Sequence, residues 1–158
     1  MELYFLRHGH AEYGINISDH DRQLTDYGVK RMQTAARVMV KLGIQPKHIY
    51  SSPRVRAKQA ADIVSKALEI PVEVREEVNF GFHAGAVGVL TRDCTMSDAV
   101  MFVGHEPTMS ETISAFTGAN VIMKKGGLAR VDVINGAVQH GDLMWLIAPK
   151  VFDALGAE

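Results

Sequence analysis

The feature that most constrains this chain is its repeated alternation of short apolar runs with helical stripes. Glu2 to Leu6 (ELYFL) and Ala99 to Val103 (AVMFV) read as buried strands. Between them, Thr25 is placed to cap a helix. Its apolar positions Val29, Met32, Ala36, Met39 and Val40 recur at helical spacing, and Gly43 ends the pattern. His48 to Ser51 reads as a short strand. Ser51-Ser52-Pro53 then turns into a second helix with the stripe Val55, Ala60, Ile63, Val64 and Leu68. Pro71 to Val74 suggests another strand or extended edge. The glycine-rich segment Glu76 to Cys94 reads as a loop with a short helix near Val87 to Thr91. Thr108 to Phe116 reads as a helix. Leu128 to Ile134 and Leu143 to Ile147 read as strands, with Asn135-Gly136 between them as a hairpin-turn signal. Strands alternating with helices imply an α/β three-layer sandwich on a mainly parallel sheet. The late hairpin suggests an antiparallel edge strand.

The 158 residues are expected to form one domain, residues 1–158, near the commonest domain size. With 47% hydrophobic and 22% charged residues the chain matches an ordinary globular protein. A formal charge of −1 gives no global reason to expect nucleic acid or an anionic membrane as partner. No apolar run reaches the roughly 18 residues of a membrane helix, and the first residues do not read as a signal peptide. Cys94 is the single cysteine, so no disulfide forms within the chain, and a reducing, cytoplasmic setting is expected.

Three of the strands end in unusual chemistry. The first runs into Arg7-His8-Gly9-His10, the second into Ser51-Ser52-Pro53 followed by Arg54 and Arg56, and the third into Gly104-His105. In open α/β sheets, ligands bind outside the carboxyl ends of the strands. Parallel neighbours would therefore gather two histidines and two or three arginines around one crevice. Arginines so placed repel one another unless an anion joins them, and their planar forks suit phosphate oxygens. The start of the helix after Pro53 adds free N–H groups and a positive dipole end.

These segments resemble, in order, the signatures of the histidine phosphatase superfamily. Arg7-His8-Gly9 resembles its first motif. Ser51-Ser52-Pro53-Arg54-Val55-Arg56-Ala57-Lys58-Gln59-Ala60-Ala61 resembles its Ser-Pro-x-x-Arg-Ala-x-Gln-Thr-Ala segment, with Arg56 at the family arginine. Gly104-His105-Glu106-Pro107 resembles the segment of its second histidine. The short chain, Asp21-Arg22-Gln23-Leu24-Thr25 and Lys124-Lys125-Gly126-Gly127-Leu128-Ala129 are most similar to the SixA-type phosphohistidine phosphatases. The resemblance implies a phosphoglycerate mutase-like fold and a cofactor-free, metal-free phosphatase with His8 as nucleophile. It implies that Arg7, Arg56 and His105 hold the phosphoryl oxygens and that Gly9 lets the backbone pass close. Arg22 sits in a loop with the reach to fold over the pocket and is a further candidate phosphate contact. The substrate so implied is a phosphorylated molecule, most directly phosphohistidine in a protein, with inorganic phosphate as product. Family members acting on alkyl phosphates use a carboxylic acid, and Glu77-Val78-Asn79-Phe80-Gly81 fits the Glu-x-x-Tyr/Phe-Gly letters of the phosphoglycerate mutase branch. Glu77 is thus a candidate general acid, with Glu76 as fallback.

Other readings are open at this stage. His8 and His10 with Asp19, His20 and Asp21 could form a divalent-metal site. The same fold could serve as a non-catalytic phosphate-binding module, or as a phosphatase of small metabolites or of phospho-Ser/Thr. Arg54 matches no family position and is expected on a solvated face. Glu106 is expected to shape the turn before Pro107, and Trp145 to be core or a hairpin anchor.

Overall fold

Strand β1 (Glu2–Arg7) is the axis of the molecule. Successive side chains of a strand point to opposite faces, so its apolar run divides between two cores. Tyr4 and Leu6 join one buried cluster, and Leu3 and Phe5 the other. The computed structural model describes residues 1–134 and 140–157. Asn135-Gly136 lies outside the described residues.

The remaining elements follow the alternation in the sequence. They are α1 (Asp26–Lys41), β2 (His48–Ser51), α2 (Val55–Leu68), β3 (Val72–Val74), α3 (Ala84–Leu90), β4 (Ala99–Gly104), α4 (Thr108–Thr117), β5 (Leu128–Val133), β6 (Gly141–Ile147) and α5 (Pro149–Leu155). One six-stranded sheet has the order β3-β2-β4-β1-β5-β6. The pairs β2–β3, β2–β4 and β1–β4 are parallel, while β5 is antiparallel to both β1 and β6. Antiparallel pairing falls at the expected edge. The one reversed strand is β5, and β6 lies outside it, running the same way as β1.

Helices α1, α2 and α5 cover one face through Met32, Met39, Val64 and Phe152. Helices α3 and α4 cover the other through Val87, Leu90, Met109 and Ile113, against Phe5 and Phe102, whose rings stack at 5.6 Å. Each such side chain contributes about 1.5–3 kcal/mol on full burial.

Thr25 caps α1 as expected, accepting from Gly28 N at 3.0 Å. Gly28 is a close-approach position, because a Cβ there would overlap the His10 carbonyl. This contact presses α1 against the loop that leaves β1. The helix expected near Val87 to Thr91 begins earlier, at Ala84, because the His83 ring accepts from Ala86 N at 2.9 Å and caps it. Helix α5 was not expected. It is held by Phe152, 1% exposed, and by an Arg31–Asp153 ion pair of 2.6 Å.

Candidate active site

Strands β1, β4 and β2 are parallel neighbours, with Arg7 opposite Gly104 and Ser51 opposite Val103. Their carboxyl ends therefore deliver His8, His105 and Ser52 to one side of the sheet. The His8 backbone is fixed from both flanks: its N–H donates to Gly104 O at 3.1 Å, and its carbonyl accepts from Gly126 N at 2.9 Å.

The His8 ring is 6% exposed. Its Nδ1 lies 2.7 Å from the Gly9 carbonyl. A carbonyl only accepts, so Nδ1 carries the proton and Nε2 keeps its lone pair. Arg56 Nε donates to that lone pair at 3.3 Å. Burial pushes the His8 pKa down, the charges of Arg56, Arg7 and Lys125 add to the effect, and the Gly9 bond opposes it. The result is about 3. His8 is thus a neutral imidazole among cations.

The His105 ring centre lies 5.2 Å from that of His8. Its Nε2 pairs with Ser52 Oγ at 2.7 Å, and Phe80 meets it edge-on at 5.0 Å. Burial first, then the cost of charging it beside His8 and the charges of Arg56 and Arg54, bring its pKa to about 3. Arg7 donates from Nη1 to Met123 O at 2.8 Å. Its Nε and His105 Nδ1 are buried without a hydrogen-bond partner among the described residues.

Arg56 stands in the first turn of α2 and is 4% exposed. It donates from Nη1 to the Asp19 carbonyl at 2.7 Å and from Nη2 to Asp19 Oδ2 at 3.1 Å. Arg54, expected on a solvated face, is instead part of this cluster. It donates to Asp19 Oδ2 at 2.6 Å and to Asn79 Oδ1 at 2.8 Å, and lies 3.7 Å over the Phe80 ring. Arg22 reaches the same carboxylate from its loop, 2.9 Å from Asp19 Oδ1. Burial pushes the Asp19 carboxyl up, but hydrogen bonds from Arg22 and Arg56 and the charges of Arg56 and Arg54 outweigh it, so the net shift is down.

The cluster therefore gathers His8, His105, Arg7 and Arg56, with Arg22 attached through Asp19. Gly9 backs it: a Cβ there would meet Met32 Cγ at 3.1 Å and Gly28 O at 3.3 Å. Glu77 is not drawn in. It sits in a 3₁₀ turn, Glu76–Val78, paired to Arg75 at 2.7 and 3.3 Å. The Arg75 hydrogen bonds lower its pKa. The residues of the metal reading are not assembled either: His10 pairs with Thr25 Oγ1, His20 with Asp21, and Asp19 with three arginines. Glu106 holds the first turn of α4, accepting from Ser110 N at 2.8 Å. Trp145 is half-buried, 5.9 Å from the Tyr4 ring. A cleft of about 560 Å³ opens beside Arg7 and Gly9, lined also by Tyr27, Met32, Lys124 and Lys125.

Ser52 and Arg54 were not read from sequence as site residues, and Asp19 was named only as a ligand of the metal reading. Ser52 lies inside a recognised motif, and that position was its only signal. No local pattern marks Asp19 as a partner of arginines, which lie up to 37 residues away.

An uncharged, hydrogen-bonded imidazole thus lies beside guanidinium groups at the strand ends of an α/β sandwich. Residues 3–88 match the histidine phosphatase superfamily (branch 1) profile, and the chain belongs to that superfamily and is a phosphatase. An uncharacterized protein of Picosynechococcus is 34% identical over 95% of this chain and 98% of its own. The fold is SixA-like: the protein histidine phosphatase SixA complexed with tungstate superposes with a TM-score of 0.84 at 22% identity, over 95% of this chain and 98% of that one. A mycobacterial glucosyl-3-phosphoglycerate phosphatase does so with a TM-score of 0.73 at 16% identity, over 90% and 96%. Among the described residues no helix is long and apolar enough to cross a membrane.

Proposed function

We propose that this chain removes phosphate from phosphohistidine in proteins, through a phosphoryl group carried on His8. The Nε2 lone pair attacks phosphorus in line. The new P–Nε2 bond forms as the P–N bond of the substrate breaks, and water later cleaves P–Nε2 to give inorganic phosphate. Arg7, Arg56 and His105 stabilise the charge on the transferring oxygens. No metal or other cofactor enters this scheme. A cytoplasmic setting fits the single cysteine.

The observation that carries the substrate assignment is the state of Glu77. An alkoxide leaving group needs a proton donor, and Glu77 is held as a carboxylate by Arg75. A phosphoimidazole protonated on its other nitrogen leaves as neutral imidazole and needs no donor. This favours a phosphoramidate over phospho-Ser/Thr or a phosphorylated metabolite.

The test is a substrate panel for the wild type and His8→Ala, comparing a phosphohistidine protein, sugar phosphates and an aryl phosphate. Turnover of the phosphohistidine protein should exceed the others and vanish in His8→Ala. Activity surviving the substitution removes the nucleophile, and turnover confined to metabolites removes the substrate. Phosphate bound without turnover of any substrate would make the chain a binding module.

A further inference from the structure

Three guanidinium groups, those of Arg22, Arg54 and Arg56, converge on the carboxylate of Asp19. Arg56 uses two edges. Nη1 is engaged by the Asp19 backbone carbonyl at 2.7 Å. The other edge, Nε with Nη2, is the fork that matches two oxygens of a phosphoryl group. That fork is divided here: Nε faces His8 Nε2 at 3.3 Å and Nη2 faces Asp19 Oδ2 at 3.1 Å. The Asp19 oxygen thus stands on the same guanidinium edge as the nucleophilic nitrogen. A phosphoryl group under attack by His8 needs that place.

We infer that Asp19 is a resident anion of the phosphoryl position, which yields to the substrate and returns to expel inorganic phosphate. The inference rests on reading His8 and Arg56 as the phosphatase centre. Two anions sharing Arg56 Nη2 repel each other at such separations, so the carboxylate and the phosphoryl group compete. The structure lets the carboxylate go without releasing Arg56, because the backbone carbonyl of Asp19 holds Nη1 independently. It also makes departure easy. The Asp19 side chain is 46% exposed and lies in a 3₁₀ turn, Asp19–Asp21, with no buried residue. That turn belongs to a loop closed at its base by the Ala11–Leu24 bridge, so a side-chain rotation suffices. Arg22 and Arg54, freed from Asp19, then add their charge to the incoming phosphoryl group.

The test is calorimetric titration of inorganic phosphate into the wild type, Asp19→Asn and Asp19→Ala. Both variants should bind phosphate about tenfold more tightly, since one competing charge is gone from a partly exposed cluster. Phosphate should also become a stronger product inhibitor of both. Unchanged, weaker or undetectable phosphate binding in the two variants overturns the inference and makes Asp19 a positioning group for Arg56. The measurement needs no turnover. Tighter binding in the variants, with activity that survives His8→Ala, would sink the phosphatase assignment of His8 while leaving the role of Asp19 standing.

Discussion

Acidification should destabilise this protein through its two buried imidazoles. His8 and His105 are 6% and 2% exposed, and burial is the leading reason that both are pushed from 6.5 to about 3. Unfolding returns them to their ordinary value. Above 6.5 both states are neutral at these positions and nothing is lost. Below it the unfolded chain takes up protons that the native state refuses, and stability falls with pH until the folded value near 3 is reached. Each unit within that window costs about 1.4 kcal/mol per group. Lowering the pH from about 7 to about 5 crosses roughly 1.5 units of it, so each histidine removes about 2 kcal/mol and the pair about 4 kcal/mol. Typical domains hold only about 5–15 kcal/mol in all. Urea unfolding at the two pH values measures the effect. His8→Asn keeps a donor for the Gly9 carbonyl and His105→Gln keeps a partner for Ser52, so each should remove about half of the pH sensitivity. Wild-type stability that is flat across the interval, or variants as pH-sensitive as the wild type, would refute the reasoning.

The same shift keeps His8, the proposed nucleophile, unprotonated in mild acid, so a pH–rate profile of kcat should show no loss from it down to about pH 5. Ser52→Ala should lower kcat roughly tenfold by freeing the His105 ring, while urea unfolding registers only about 1 kcal/mol; equal kcat would show that His105 needs no anchor. Gly28→Ala should cost about 1–3 kcal/mol in thermal unfolding, because its Cβ drives α1 off the His10 carbonyl. Burial, then the charge of Asp93, pushes the Cys94 thiol from 9.0 up to about 11. Near pH 8 it should carry roughly a hundredfold less thiolate than an ordinary thiol and label correspondingly slowly with Ellman's reagent.

Strand ends were legible because apolar runs stop abruptly at a charged residue, a serine or a glycine. Leu6 to Arg7, Tyr50 to Ser51 and Val103 to Gly104 each gave the boundary within a residue, and parallel neighbourhood then brought the chemistry together. The long stripe of α1 was equally clear, since its buried face repeats over 16 residues. Helix α3 was harder to place. Three of its neighbourhood's residues are glycines (Gly81, Gly85 and Gly88), and its cap is an imidazole rather than a Ser, Thr, Asp or Asn. Helix α5 buries only Phe152, too little to write a period into seven residues. The motif arginine Arg56 could be read from its place in the pattern. Arg54 could not, because its burial is created by Asn79 and Phe80, a helix, a strand and a turn further along the chain.

The position of β1 bears on how the protein comes into being. This strand precedes the other five of the sheet in the chain, yet it lies between β4 and β5, so its neighbours arrive only at Ala99–Gly104 and Leu128–Val133. The contacts that fix His8 come from Arg56, Gly104 and Gly126. An emerging chain therefore carries His8 for more than a hundred residues before all of these contacts exist. The surroundings of His8 are complete only once four of the six strands have been made, and a product cut off before Gly126 lacks one of the contacts that hold it.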